Sequence, residues 1–224
     1  MKQKKKESVA LSVVPSVAPL ALPIQKIGVS IELTSDMLGT NPLNKEIYDK
    51  YIQTKRPIEK PILDDPESID IQENEEVGVT GFFVDEKGVY LKSHMMMGNL
   101  KTAATNLKEI LKITALKSKI ENFLSIHDPK LYAFDLDGNI KKIADGNLQR
   151  ALKGWAGGGQ RVTLVKSETL DAGTCFHFTL LLLQHKELSV QVLRTLFEYG
   201  STHIGLGQWR TASYGQFRVT KFEL

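Results

Sequence analysis

Apolar residues at every second position mark the first element of this chain. In "KIGVSIELTS" (26–35), Ile27, Val29, Ile31 and Leu33 alternate with small or polar partners, the period of a half-buried strand. The period lengthens in "MMMGNLKTAATNLKEILKI" (95–113), where Met96, Leu100, Ala103, Leu107, Ile110 and Leu111 recur at three and four, so a helix with one buried face is predicted. Two hairpins flank it. "VGVTGFFVDEKGVYLKSH" turns at Asp85 to Gly88, and "KLYAFDLDGNIKKI" turns at Asp137 and Gly138, with a further strand around "ENFLSIHD" between helix and second hairpin. The chain closes with a strand "TCFHFTLLLL", a helix "SVQVLRTLFEYG" capped by Ser189, a glycine-rich segment, and a last strand "QFRVTKFEL".

With insertions removed, the order is strand, helix, strand, strand, helix, strand. That is the ferredoxin-like, split βαβ order, and the fold class expected is α+β. The predicted organisation is an extended arm over residues 1–25 and a single domain over 26–224, with insertions at about 36–80 and 141–165. The first insertion is polar and carries Pro42, Pro57, Pro61 and Pro66, with one short helix "LNKEIYDKYI". The second, basic and glycine-rich, reads as irregular chain around an exposed Trp155.

Composition narrows the classes. At 224 residues, 42% hydrophobic and 25% charged, the chain can bury a substantial core. A single cysteine, Cys175, sits in an apolar run and reads as core; it excludes a disulfide scaffold and suits a cytoplasmic protein. The basic, apolar start resembles a secretory signal, but Pro15, Pro19 and Pro23 break its helical middle, which favours an extended arm that docks on a neighbour or stays mobile. No run approaches the roughly 20 apolar residues of a membrane span, so a membrane partner is not expected. The net charge of +3 conceals an asymmetry: "DDPESIDIQENEE" (64–76) holds seven acidic residues, and the other 211 residues hold 29 basic against 19 acidic. That surplus suits a polyanionic partner.

The usual catalytic signatures are missing from the sequence. His94, His127, His177, His185 and His203 are scattered, Cys175 and His177 make at most half a metal site, and "DLDGN" (135–139) reads as a turn rather than a calcium loop. Neither a metal nor a cofactor is expected. Asp36 and His94 are the only catalytic candidates, and a non-catalytic protein is favoured. What remains is binding: cations neutralise phosphates, aromatics stack on bases, and glycine admits a close backbone. "GLGQWRTASYGQF" supplies Gly205, Gly207, Gly215, Trp209, Tyr214 and Arg210, with Arg218 beyond; "RALKGWAGGGQRV" supplies Arg150, Lys153, Trp155 and Arg161. Gly98, Lys101 and Thr102 are placed at the start of their helix, where unpaired N–H groups can meet an anion.

The C-terminal third resembles the RAMP superfamily, the RNA-recognition-motif-like (RRM-like) proteins that form the backbone of CRISPR effector complexes. The family places a glycine-rich loop of the form "GG-x-x-SRGYG" between a helix and the last strand. "GLGQWRTASYGQF" is similar, with Gly205 and Gly207 at the first glycines, Arg210 three residues early, and Ala212 where a polar residue is expected. "MGNLKTAATNLKEIL" resembles the family's "G-S-x-L-K-G-A-L-R" helix start through Gly98, Asn99, Leu100, Lys101, Ala103 and Ala104. The chain also resembles stand-alone relatives borne by bacteriophages. The resemblance implies an RNA or single-strand binder that assembles in several copies, with itself or with related RAMP subunits, along a strand. The alternatives are a RAMP-related endoribonuclease, for which Asp36 or His94 would lie beside the scissile phosphate, and a phage structural or interaction protein.

Overall fold

The computed structural model describes residues 22–43, 78–156 and 159–224, and the side chains of 152–156 and 159–163 are not among what it describes. The N-terminal arm before residue 22, the short helix expected after Leu43 and the acidic stretch 64–76 lie outside the described residues.

The alternating run near the start forms β1 (Ile24–Leu33), which begins two residues before the boundary assigned to the arm. It sits inside a seven-stranded sheet built with β5 (Phe83–Asp85), β6 (Gly88–Lys92), β7 (Leu124–Ile126), β8 (Lys130–Phe134), β11 (Cys175–Leu183) and β12 (Phe217–Glu223). The strand order is β12-β1-β11-β8-β6-β5, and β7 also pairs with β11. The helices are α1 (Ser93–Leu107), α2 (Leu116–Phe123) and α3 (Val190–Tyr199). The mixed α+β, RRM-like class read from the sequence is what is found.

Two periodicities build the core. Ile27, Val29, Ile31 and Leu33 of β1 share one face with Phe176, Phe178, Leu180 and Leu182 of β11, and α1 covers it with Met96, Leu100, Ala103, Ala104 and Leu107. α3 adds Leu193, Leu196 and Phe197; Phe197 stacks on Phe178 and meets Phe222 edge-on. A bulge in the β1–β12 pairing between Ser30 and Ile31 lets Phe217 and Phe222, at odd and even positions of one strand, both turn inward. Ser189 caps α3 as expected, its hydroxyl accepting from the Val192 N–H at 3.2 Å.

Three expectations change. The helix placed over 95–113 begins at Ser93 and ends at Leu107, so Ile110 is 74% exposed rather than buried. The chain then turns through left-handed Lys112 and Ala115 into α2, which the sequence reading did not separate. Cys175 is only half-buried and faces away from the helices, opposite Glu32. Burial pushes its thiol pKa up.

Residues 146–156 and 159–165 of the segment expected to be irregular are strands. β9 (Gly146–Ala156) and β10 (Gly159–Leu170) form a long antiparallel hairpin whose register pairs Trp155 with Gln160 and Arg150 with Val165. Its base is bound into a second sheet with β2 (Met37–Leu38), β3 (Asn41–Pro42) and β4 (Gly78–Gly81). Glycines in the run admit a strand when an adjacent strand supplies the pairing, which local composition does not report.

Candidate nucleic-acid interface

The glycine-rich segment folds back on itself. Leu206 N–H donates to Gly215 O at 2.8 Å, Gly215 N–H donates to Asp36 O at 2.8 Å, and Gln208 N–H donates to Leu38 O at 3.2 Å. Gly205, Gly207 and Gly215 all have positive φ, where L side chains are strained. A Cβ on Gly207 would lie 2.5 Å from Leu38 O, and one on Gly215 would strike Leu206 O. The close backbone that these glycines admit is therefore the protein's own, which corrects the expectation that Gly205 and Gly207 make room for a ligand.

Asn99 is a clamp. It is buried in α1, and its Nδ2 donates to Gly200 O at 3.0 Å and to Gly205 O at 2.8 Å, so it holds the tight turn between α3 and the loop. Its side chain is buried, with Nδ2 spent on those two carbonyls and Oδ1 without a donor, and it does not face solvent, contrary to its assignment as a binding residue. Gly98 lies in the second turn of α1, not at its start, because the helix begins at Ser93. It has no free backbone N–H to offer, but a Cβ there would meet nothing within 4 Å. With Lys101, Thr102, Lys117 and Glu121 it lines a shallow groove between α1 and α2, where Lys101 pairs with Glu121 at 3.4 Å.

Arg150 joins the two basic, aromatic clusters that the sequence presents 55 residues apart. Its Nη2 donates to Gln208 Oε1 at 2.9 Å, and its guanidinium carbon lies 4.9 Å from the Trp209 ring centroid. Trp209 is 43% exposed and stacks on Tyr214 with centroids 5.3 Å apart and planes 11° from parallel. Arg210 stands exposed beside them in a short helical turn. Nε and Nη1 of Arg150 are buried and have no acceptor. Trp209, Tyr214 and Arg210 thus stand at the surface beside the hairpin, propped by a largely buried Arg150 guanidinium. Lys153, Trp155 and Arg161 lie farther along the same hairpin, on its paired strands.

Arg218 is elsewhere. It projects from β12 away from the helices and makes a bidentate pair with Glu32, with Nη2 2.8 Å from each carboxylate oxygen. The catalytic candidates are not joined. Asp36 Oδ1 accepts from the Ala172 N–H at 3.0 Å and fastens the turn before β11, while His94 is exposed at the start of α1, and no hydrogen bond links them. Asp135 accepts from the N–H groups of Asp137 and Asn139, which lower its pKa and close the second hairpin turn. Among the described residues no group of three or more His, Cys, Asp or Glu is placed to hold a metal, and no helix is long and apolar enough to cross a membrane.

Two features escaped the sequence reading. Gln208 and Leu38 fix the loop to β2, and no local signal announces that pairing. Phe83, Tyr90 and Tyr132 line up across β5, β6 and β8, and the alternation in "FFVDEKGVYLK" could have found the first two.

No family model matches the sequence, and no curated protein matches it. Solved structures do match in shape. A chain in the cryo-EM structure of the type III-B Cmr-beta bound to cognate target RNA superposes with a TM-score of 0.50 at 11% identity, over 89% of this chain and 60% of that one. A chain of a type IV-B CRISPR complex superposes with a TM-score of 0.45 at 14% identity, over 88% and 90% of the two chains. This chain thus spans about 60% of the length of the Cmr-beta chain. The α+β fold of this chain is shared with that chain of the Cmr-beta structure.

Proposed function

We propose that this chain is a non-catalytic RNA- or single-strand-binding protein of the RAMP type, which assembles in several copies along the strand it holds. One observation carries the reading. The hairpin and the glycine-rich loop, distant in sequence, converge to set Arg150 against Trp209 and Tyr214 with Arg210 alongside. Aromatic faces for bases and guanidinium groups for phosphates are what a sequence-tolerant single-strand site combines. The matching Cmr-beta structure is bound to target RNA, which agrees with the same reading. The hairpin acts as a clamp through Lys153, Trp155 and Arg161, and the groove at Gly98 and Lys101 takes a further phosphate. RNA, and other copies or related RAMP subunits, are the partners, in the cytoplasm.

The test is fluorescence anisotropy with labelled single-stranded RNA at two salt concentrations, comparing the parent with a double variant, Arg150→Ala with Arg210→Ala. Weaker binding and a salt dependence shallower by about 0.7 per lost phosphate contact are expected. Unchanged binding by the folded variant rejects the site. The endoribonuclease reading is checked in the same samples with added divalent cation. Asp36 is exposed and its main chain is held by Gly215 of the loop, so cleavage abolished by Asp36→Asn would replace the non-catalytic reading.

A further inference from the structure

The face of the main sheet turned away from the described helices carries an aromatic row at the edge opposite β12. Phe83 of β5 faces Tyr90 of β6, and Tyr90 faces Tyr132 of β8, with successive ring centroids 5.8 Å apart. Lysines cover the row: Lys92 Nζ lies 4.1 Å from the Phe83 centroid, Lys130 Nζ 4.7 Å from that of Tyr90, and Lys87 Nζ 5.9 Å from that of Tyr132.

Cross-strand aromatic pairs stabilise a sheet by themselves, and stability alone would explain the rings. It does not explain the cations. Lys92 and Lys130 are directly opposed in register, an arrangement of like charges that works against pairing. Asp85 answers only one of them, accepting from Lys130 Nζ at 2.6 Å and from the Tyr132 hydroxyl at 2.9 Å. Lys87 and Lys92 have no carboxylate within ion-pair distance among the described residues. Lys142 adds a fourth cation by donating to Lys87 O at 2.9 Å.

We infer that this face is a second binding surface, for an unpaired single strand of nucleic acid whose bases stack on Phe83, Tyr90 and Tyr132 and whose phosphates take Lys87 and Lys92. A polyanion relieves the opposed charges, and the flexible lysines over the rings can swing aside from stacking bases to reach phosphates. The surface is separate from the loop and hairpin, which belong to other strands. It rests on the proposed single-strand role only in the class of its ligand.

The double variant Lys87→Gln with Lys92→Gln leaves the Lys130, Asp85 and Tyr132 triangle intact and should melt like the parent. Its affinity for a labelled 20-nucleotide oligouridine is expected to fall roughly ten-fold, with a salt slope shallower by about 0.7 per lysine. Oligothymidine run alongside separates RNA from DNA as the strand held. Photocrosslinking of 4-thiouridine RNA should mark peptides containing Phe83, Tyr90 or Tyr132. Unchanged affinity and slope, with crosslinks confined to the loop, overturn this inference and leave the loop site standing. A loss here combined with no effect of Arg150→Ala and Arg210→Ala overturns the loop site instead. Altered self-association with unchanged oligouridine affinity makes the face a contact between copies, which also overturns it.

Discussion

Gly207 and Leu38 are in backbone contact. Gly207 has a φ of +78°, and a Cβ built on it would sit 2.5 Å from Leu38 O and 2.8 Å from Met37 Cγ. The glycine-rich loop is thereby fastened to β2, and its conformation is an internal packing requirement. Gly207→Val should unfold the loop rather than block a ligand. Left-handed geometry alone costs an ordinary residue about 1 to 2 kcal/mol, and the clash adds to that. Thermal melting should show a drop of several degrees or outright failure to fold, and a variant with parental stability but weak RNA affinity would contradict this assignment.

Gly98 is the opposite case. A Cβ there meets nothing within 4 Å, and the residue lies inside α1. Gly98→Ala should raise stability by roughly 0.5 to 1 kcal/mol, the ordinary gain from replacing a helical glycine. If the groove beside Lys101 takes a phosphate at close range, the same variant binds RNA more weakly. Denaturant melts and anisotropy on one sample read the two effects apart, and a gain in stability with full affinity removes Gly98 and Lys101 from the interface.

Asn99 bonds two carbonyls of the segment that follows α3. Asn99→Leu keeps the branched outline and removes the Nδ2 donor, which leaves Gly205 O without it while Gly200 O keeps the Gly205 N–H at 2.9 Å. An unsatisfied buried acceptor costs about 1 to 3 kcal/mol, so a loss of about that size is expected by urea denaturation. Hydrogen exchange should quicken at Leu206 and Gly215, the pair that closes the loop. Parental protection there would show that the clamp is dispensable.

Asp85 makes stability depend on acid. The Lys130 ammonium, followed by the Tyr132 hydroxyl and two backbone N–H groups, holds its carboxyl well below the usual carboxylate range. A depressed folded pKa means that the unfolded chain binds the proton more readily. The contribution is therefore complete above the unfolded value of about 3.9 and is lost as pH falls from there through the folded value. Asp85→Asn should melt below the parent at pH 7, and the gap should narrow as pH drops below about 4. A gap constant from pH 7 to pH 2 would show that ionisation of Asp85 plays no part.

Trp209 is partly exposed against Tyr214 and Arg150, so stability and binding can be separated at this residue. Trp209→Ala should cost roughly 1 to 3 kcal/mol of single-strand affinity, the range for losing one stacked base. Its melting temperature should move by only a few degrees, since a 43% exposed ring contributes little to the core. A large fall in melting temperature with unchanged affinity would make the ring a structural prop of the loop.

The sequence by itself determined the elements whose signal is local. Alternation at Ile27, Val29, Ile31 and Leu33, the helical spacing of Met96, Leu100, Ala103 and Leu107, the Ser189 cap, and the turns at Gly88 and Gly138 all follow from bonds within a few residues or from one apolar side. Only the tertiary structure decided what those elements meet. Arg150 reaches Gln208 across 58 positions and Asn99 reaches Gly205 across 106, so nothing in either neighbourhood distinguishes a clamp from a ligand contact. The glycines show the limit most sharply. Positive φ and close approach are legible as a need for glycine, but whether Leu38 or a nucleic-acid backbone fills the space depends on where the chain returns. Arg218 in the same way reads as a free cation until β12 pairs with β1 and sets Glu32 opposite it.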